Sequence, residues 1–266
     1  ALEQFRAIDE IALVAVPGAQ DVNIQNAVID HCANAGDRFA ILDGQRSPAA
    51  LTPTAIQGGT KDSNYAALYF PWISVYDPVT QASAYVPPSG HLAGIYARVD
   101  SERGVHKAPA NVVIRGASEV ERRLSKADQD GLNPAGVNII RAFGGNITVW
   151  GARTLGGDAN GEFKYVNVRR LFLFLRESID EGTQWVVFEP NSQALWAQIT
   201  RNVTAFLSNV WQSGALFGAT PQEAFYVKCD EETNPPAVRD LGQVVTEIGV
   251  AVVKPAEFVI FRLGQW

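Results

Sequence analysis

The sequence predicts an α/β fold for residues 1–135, followed by an α+β domain over residues 136–266. Three observations predict it: a strand–helix–strand pattern near the start, a glycine-based turn past the middle, and two long helical patterns after that turn. Continuous apolar runs separated by an amphipathic helix indicate parallel strands that are covered on both faces. A hairpin combined with separate helices is typical of the α+β class.

The first pattern is a βαβ unit. Residues 11–16 form a continuous apolar run that Pro17 ends, and residues 39–42 form a second run. Between them, Asp21 is suited to cap the start of a helix and Gly36 to end it. This order predicts two parallel strands joined by a right-handed crossover.

The remainder of the first domain is less regular. Residues 66–76 are predicted to form one apolar strand with a bulge or edge position at Pro71. Ser89 is expected to be the N-cap of a helix that reaches about residue 99. Ser118 and Glu121 have the spacing of a capping box and predict a further helix.

The second domain is predicted to open with a hairpin. Residues 137–143 and 146–150 flank a two-glycine turn. Apolar residues recur at helical spacing over residues 168–179 and again over residues 195–210. The remaining apolar runs are predicted to be strands: residues 185–188, 225–228, 244–253 and 258–263.

Composition excludes several classes of protein. The chain has 266 residues, a net charge of −6 and a pI near 5.1, which argues against a nucleic-acid partner. It has no apolar stretch of the roughly 18 residues that a membrane helix needs, so no membrane association is predicted. Cys32 and Cys229 are interpreted as two buried thiols, with a disulfide as the alternative. The absence of methionine, even at position 1, suggests a processed chain or a fragment of a longer product.

The search for chemistry predicts no catalytic, cofactor-binding or metal site. The chain has three histidines, and His31 lies on the apolar side of the first helix, where a core position is expected. The spacing of cysteine and histidine fits no zinc motif. One alternative remains open, a serine hydrolase that would use Ser89, His106 and Asp43.

A nucleotide-binding module is the other alternative. Asp43 follows the second strand, as an acidic residue does in dinucleotide-binding proteins. However, the turn after the first strand begins with Pro17 and Gly18 and lacks the Gly-x-Gly-x-x-Gly pattern that admits a pyrophosphate.

Several segments, in order, carry a family resemblance. They are residues 86–98, 107–111, 136–138, 149–155, 165–170, 188–191 and 255–260. This series resembles the tail sheath proteins of contractile phages, phage-tail-like bacteriocins and extracellular contractile injection systems. The resemblance implies a subtilisin-like α/β sheath domain followed by an α+β C-terminal sheath domain, without enzymatic function. It also implies that an N-terminal arm of the family is missing here.

The resemblance also implies how the protein works. Family members assemble in the bacterial cytoplasm as stacked, usually hexameric rings around an inner tube, and contract to drive the tube through a target envelope. The expected partners are other sheath subunits, the inner tube protein, and baseplate and tail terminator proteins. Residues 200–218 are the segment that we assign to tube contact.

Two sets of residues are predicted to join subunits. The first is a C-terminal strand that would pair with a neighbour, or alternatively with its own sheet: Phe258, Val259, Ile260, Phe261, Arg262 and Leu263. The second is three arginines, Arg153, Arg169 and Arg170, whose alternative role is a local salt bridge. On the interface interpretation, reversing the charge at Arg170 would weaken assembly without unfolding the subunit.

Overall fold

The computed structural model describes residues 2–258 as a mixed α/β protein. The α-helices are α1 (Val22–Ala35), α2 (Pro53–Gln57), α3 (Ser89–Arg103), α4 (Lys126–Leu132), α5 (Val166–Thr183), α6 (Gln193–Gln212), α7 (Pro221–Ala224) and α8 (Pro236–Arg239). The strands are β1 (Leu13–Ala15), β2 (Phe39–Asp43), β3 (Ala66–Phe70), β4 (Ile73–Asp77), β5 (Ala82–Val86), β6 (Val112–Val113), β7 (Ala117–Val120), β8 (Val137–Phe143), β9 (Asn146–Val149), β10 (Phe225–Lys228) and β11 (Glu247–Val250).

The predicted βαβ unit is confirmed. Strands β1 and β2 pair in parallel, and α1 connects them. The Asp21 side chain accepts hydrogen bonds from the amides of Asn23 at 2.7 Å and Ile24 at 3.4 Å, which caps α1. At the other end, Gly36 adopts a left-handed conformation with φ of 74° that ends the helix.

The central sheet has six strands in the order β1-β2-β3-β8-β9-β6. The first four are parallel, whereas β9 and β6 are antiparallel to their neighbours. Alternate residues of β2 point to opposite faces: Phe39 and Ile41 pack with α3, and Ala40 and Leu42 pack with α1. Helices therefore cover both faces, which explains the continuous apolar runs.

The hairpin of β8 and β9 joins the central sheet. We predicted that this hairpin opens the second domain, and the structure pairs β8 with β3, Leu68 being opposite Val137 and Phe70 opposite Ile139. The hairpin thus belongs to the sheet of the first part. The pairing of β8 with β3 joins segments that are far apart in the sequence, so local sequence patterns do not reveal it.

Two elements of the first part were predicted wrongly. Residues 66–76 form two strands in different sheets, since β3 belongs to the central sheet and β4 pairs with β5 and β7. The capping-box pattern at Ser118 lies in strand β7. The capping box that forms lies at the start of α4. There, Ser125 Oγ accepts from the Asp128 amide and Asp128 Oδ2 accepts from the Ser125 amide.

The second part is built around α5, α6 and the ribbon of β10 and β11. Its core joins both helices through Leu171, Leu175, Trp196, Ile199 and Leu207. The predicted strand at residues 185–188 is wrong, since a 3₁₀ turn over Gln184–Val186 is found there. Among the described residues, no helix is long and apolar enough to cross a membrane.

Candidate assembly site

The segment that follows β11 crosses from the second part of the chain to the first. Its last backbone hydrogen bond among the described residues runs from the Val253 amide to the Ala215 carbonyl, at 3.2 Å. Beyond it, Glu257 makes the side-chain contacts that fix the segment, and Phe258 is 68% exposed. Glu257 is thus an anchor immediately before the predicted intersubunit strand.

The carboxylate of Glu257 accepts four hydrogen bonds. Its Oε1 accepts from Asn133 Nδ2 at 2.7 Å and from Arg153 Nε at 2.9 Å. Its Oε2 accepts from Arg153 Nη2 and from the Tyr165 hydroxyl, both at 2.9 Å. We call these four residues the anchor site. The bidentate arginine fixes the direction as well as the position of the carboxylate.

Arg153 is itself held firmly. Its side chain is 4% exposed, and its Nη1 donates to the Asn133 carbonyl and to Asp158 Oδ1, each at 3.1 Å. The side chain of Asn138 accepts from the Arg153 amide and donates to the Arg153 carbonyl, both at 2.7 Å. Strand β8, which carries Asn138, thus connects the anchor site to the central sheet.

The anchor site predicts a local response to mutation and pH. Burial favours the protonated form of Glu257, but the hydrogen bonds from Arg153, Asn133 and Tyr165 outweigh it and lower the pKa below 4.5. The stabilising contribution is therefore present above pH 4.5 and is lost as the pH falls through the folded-state pKa.

We expect Glu257→Gln to release the terminal segment at neutral pH, because the ion pair is lost, at a cost of about 2 kcal/mol. Chymotryptic cleavage after Phe258 should become faster at neutral pH, and acid should speed cleavage of the same segment of the unsubstituted protein by pepsin, a protease that is active at low pH. Glu247→Gln, in the exposed part of β11, is the matched control. Equal cleavage rates in both variants would contradict the assignment.

The three predicted arginines are all buried, and two pair within the chain. Arg153 binds Glu257, as described. Arg170 donates from Nη1 and Nη2 to the two carboxylate oxygens of Asp100, at 2.9 and 2.6 Å. Its guanidinium also lies over the ring of Tyr96, 4.8 Å from the centroid. The alternative stated for these arginines, a local salt bridge, therefore describes Arg153 and Arg170.

Arg169 is different. It is 9% exposed, and its guanidinium carbon lies 4.4 Å from the ring centroid of Tyr65 and 3.5 Å from that of Phe163. Its Nε is buried and has no hydrogen-bond partner. No carboxylate among residues 2–258 forms a salt bridge with it.

The terminal strand is described only at its first residue. Phe258 is exposed and lies outside any strand, and residues 259–263 fall outside the described part of the chain. Strand pairing by residues 258–263 stays a prediction. The ribbon of β10 and β11 is relevant to it, because each of these strands pairs on one edge only within the described residues.

The residues proposed for a hydrolase do not form a triad. Ser89 Oγ donates directly to Asp43 Oδ2 at 2.7 Å, and the Ser89 amide donates to Asp43 Oδ1 at 2.8 Å. The predicted N-cap role of Ser89 is also wrong, since it is the first residue of α3 and its side chain bonds Asp43. His106 follows the far end of α3, which is about 22 Å long at 1.5 Å per residue. No histidine stands between the serine and the aspartate.

The other candidate side chains are structural. His31, Cys32 and Cys229 are buried, and both cysteines are free, in agreement with the prediction of two buried thiols. Among the described residues, no group of three or more histidine, cysteine or acidic side chains is arranged to hold a metal ion.

We did not identify the anchor site from the sequence, although the sequence contains a signal for it. Glu257 is the one acidic residue in residues 248–266, an otherwise apolar and basic stretch. An isolated carboxylate in such a tail needs a partner. Its partners could not be named because they lie 92 to 124 residues away along the chain.

Comparison with known proteins identifies the family. The model of the phage tail sheath protein central domain matches residues 1–155, and that of the phage tail sheath C-terminal domain matches residues 158–265. A tail sheath protein of Vibrio phage KVP40 is 28% identical over 95% of this chain and 36% of its own length. A putative prophage major tail sheath protein of Pseudomonas aeruginosa is 29% identical over 96% of this chain and 65% of its own length.

Solved structures agree with these relatives. The sheath complex of the extracellular contractile injection system PVC, in its contracted state, is 32% identical with a TM-score of 0.88, over 97% of this chain and 72% of that one. A chain of the anti-feeding prophage baseplate is 36% identical with a TM-score of 0.82, over 96% of this chain and 69% of that one.

This chain spans 36% and 65% of the lengths of the two curated relatives. The relatives are structural tail sheath proteins, which confirms the predicted resemblance and the prediction that the chain is not an enzyme. The hydrolase alternative finds no support among them. With both of its parts matched by sheath-domain models, the chain belongs to the phage tail sheath family.

Proposed function

We propose that the chain is a subunit of a contractile tail sheath that forms stacked, hexameric rings around an inner tube. Contraction of these rings would drive the tube through a target envelope. Homologous sheath complexes in the contracted state and a baseplate resolved with six-fold symmetry support this proposal. We propose assembly in the bacterial cytoplasm, with the tube, baseplate and tail terminator proteins as partners.

The observation that carries the proposal is the anchored exit of the terminal segment. Glu257 fixes the segment to the first part of the chain, and Phe258 immediately beyond it is exposed. A segment that is fixed at its first residue and exposed to solvent beyond it can add as a strand to the sheet of another molecule. Residues 258–263 are the strand that we propose is donated.

The ribbon of β10 and β11 is the acceptor that we propose. This ribbon has two strands among the described residues, and its outer edges present unpaired amides and carbonyls to an added strand. At about 1 kcal/mol net per hydrogen bond, a six-residue strand would contribute several kcal/mol to each contact between subunits. Such a tether would persist while the folded bodies of the subunits slide past one another during contraction.

Domain limits and the tube contact are further parts of the proposal. We place the boundary between residues 155 and 158, since the hairpin of β8 and β9 completes the first sheet and the two family models meet there. The parallel strands with helices on both faces are consistent with a subtilisin-like first domain. The tube contact remains assigned to residues 200–218, which include the exposed Phe217.

Ile260→Pro tests the donated strand. Proline removes an amide donor in the middle of the proposed strand, so the full-length protein should fold but stay unassembled. Gly264→Pro, just beyond the strand, is the matched control and should assemble normally. Negative-stain electron microscopy and sedimentation would detect the polymers. Normal sheaths from the Ile260→Pro protein would refute strand donation.

A further inference from the structure

We propose that Arg169 is a receptor for a carboxylate side chain of a neighbouring copy of this chain. The inference rests on the proposed assembly of subunits. It deepens that proposal by naming the chemistry of one contact between them, which the strand exchange does not specify.

The guanidinium of Arg169 lacks the partner that a buried charge needs. Its Nε makes no hydrogen bond, and no carboxylate in residues 2–258 forms a salt bridge with it. Burial lowers the pKa of this arginine, and the nearby Tyr65 offsets the effect only in part. An unpaired buried charge is costly, so an arriving carboxylate would relieve a penalty that the free subunit carries.

The other deeply buried arginines show how this fold treats such charges. Arg38 pairs with Asp37, Arg153 pairs with Glu257 and Arg170 pairs with Asp100.

Each of these three arginines is 6% exposed or less and has its acidic partner in the same chain. Arg169 is 9% exposed and has no acidic partner among the described residues, which favours a partner from outside the subunit.

The residues that the structure does not describe offer no acidic side chain to Arg169. Residue 1 and residues 259–266 contain no aspartate and no glutamate. A second copy is the occupant that we propose, since the chain carries 28 acidic against 22 basic side chains and its homologues form sheath complexes.

The aromatic rings prepare the arginine for this role. Tyr65 and Phe163 lie against the guanidinium, so the rings hold the group in place through cation–π contact. The N–H groups of a guanidinium lie in its plane, which is the geometry that binds a carboxylate in bidentate fashion. Little side-chain entropy is then lost when a neighbour arrives.

Arg169→Met and Arg169→Gln test this receptor in the full-length protein. Both remove the charge, and methionine preserves an apolar stem between the rings. We expect the concentration needed for sheath assembly to rise about tenfold or more, as for other interfacial charge pairs. In an Ile260→Pro background, which keeps the subunit unassembled, the melting temperature should change by less than about 3 °C.

Arg170→Gln is the matched control, because it loses an internal pair and should lower the melting temperature in the same background. Assembly of both Arg169 variants at the unsubstituted concentration would overturn the inference while leaving strand donation intact. A large fall in their melting temperature without an assembly defect would also overturn it, as would Arg169-dependent stabilisation by acetate or phosphate with normal assembly. Failure of the unsubstituted protein to assemble would overturn the proposed function as well.

Discussion

Arg170→Glu is expected to lower the free energy of unfolding of the isolated subunit by about 4 kcal/mol, the cost typical of breaking a buried ion pair. The substitution places a carboxylate against Asp100, where the structure has two charge-assisted hydrogen bonds. It also removes the cation over the ring of Tyr96. That ring lies in the core of the first part and its hydroxyl bonds Tyr69 at 2.6 Å, so the damage reaches the central sheet.

Urea denaturation in the Ile260→Pro background would measure this effect. Arg201→Glu, on the exposed side of α6, is the control and should change the free energy of unfolding by less than about 0.5 kcal/mol. A large loss of unfolding free energy for Arg170→Glu would show that Arg170 stabilises the fold of the subunit and is not an interface charge. Unchanged stability in this background, together with failure of the single Arg170→Glu variant to assemble, would restore the interface interpretation.

Asp43→Ala is expected to have the second large effect, also about 4 kcal/mol, because three donors lose their acceptor. The carboxylate is 2% exposed and accepts from the Gly18 amide at 2.9 Å, the Ser89 amide and the Ser89 hydroxyl. It thereby ties the turn after β1 to the end of β2 and the start of α3. Burial raises the pKa of Asp43, and the three hydrogen bonds oppose that rise.

Ser89→Ala removes one of the three donors and serves as the graded control, with an expected loss of about 1 kcal/mol. Thermal and urea denaturation would both report the difference between the two variants. Similar small losses for both would show that the carboxylate is not the centre of this contact. A fluorophosphonate reagent should leave Ser89 unlabelled, since no histidine stands beside it to activate the hydroxyl.

Local signals in the sequence were sufficient for elements that depend on local interactions. Helix α1 was predicted with both of its ends because Asp21 and Gly36 act within one turn of it. The two-glycine turn placed the hairpin of β8 and β9. The strand predicted at residues 185–188 was wrong because a local apolar run does not show whether a partner strand exists. These four residues lie between two helices, pair with no strand among residues 2–258, and include the exposed Val187 and Phe188.

The candidate site depended on contacts that local patterns do not encode. Arg153, Arg169 and Arg170 were singled out as possible interface charges, yet nothing nearby in sequence distinguished a paired arginine from an unpaired one. Asp100 lies 70 residues from Arg170, and Glu257 lies 104 residues from Arg153. The family resemblance supplied the role of the protein, whereas the pairing of each charge came from tertiary structure.

The parallel pairing of β3 with β8 has a consequence during protein synthesis. Phe70 ends β3 and Val137 begins β8, so 66 residues separate the two strands. At about 5 to 20 residues per second, the ribosome needs roughly 3 to 13 s to make that stretch. Throughout this interval the apolar strand β3 of the nascent chain lacks its neighbour β8. We therefore expect chaperone binding to the nascent chain to matter most during this period.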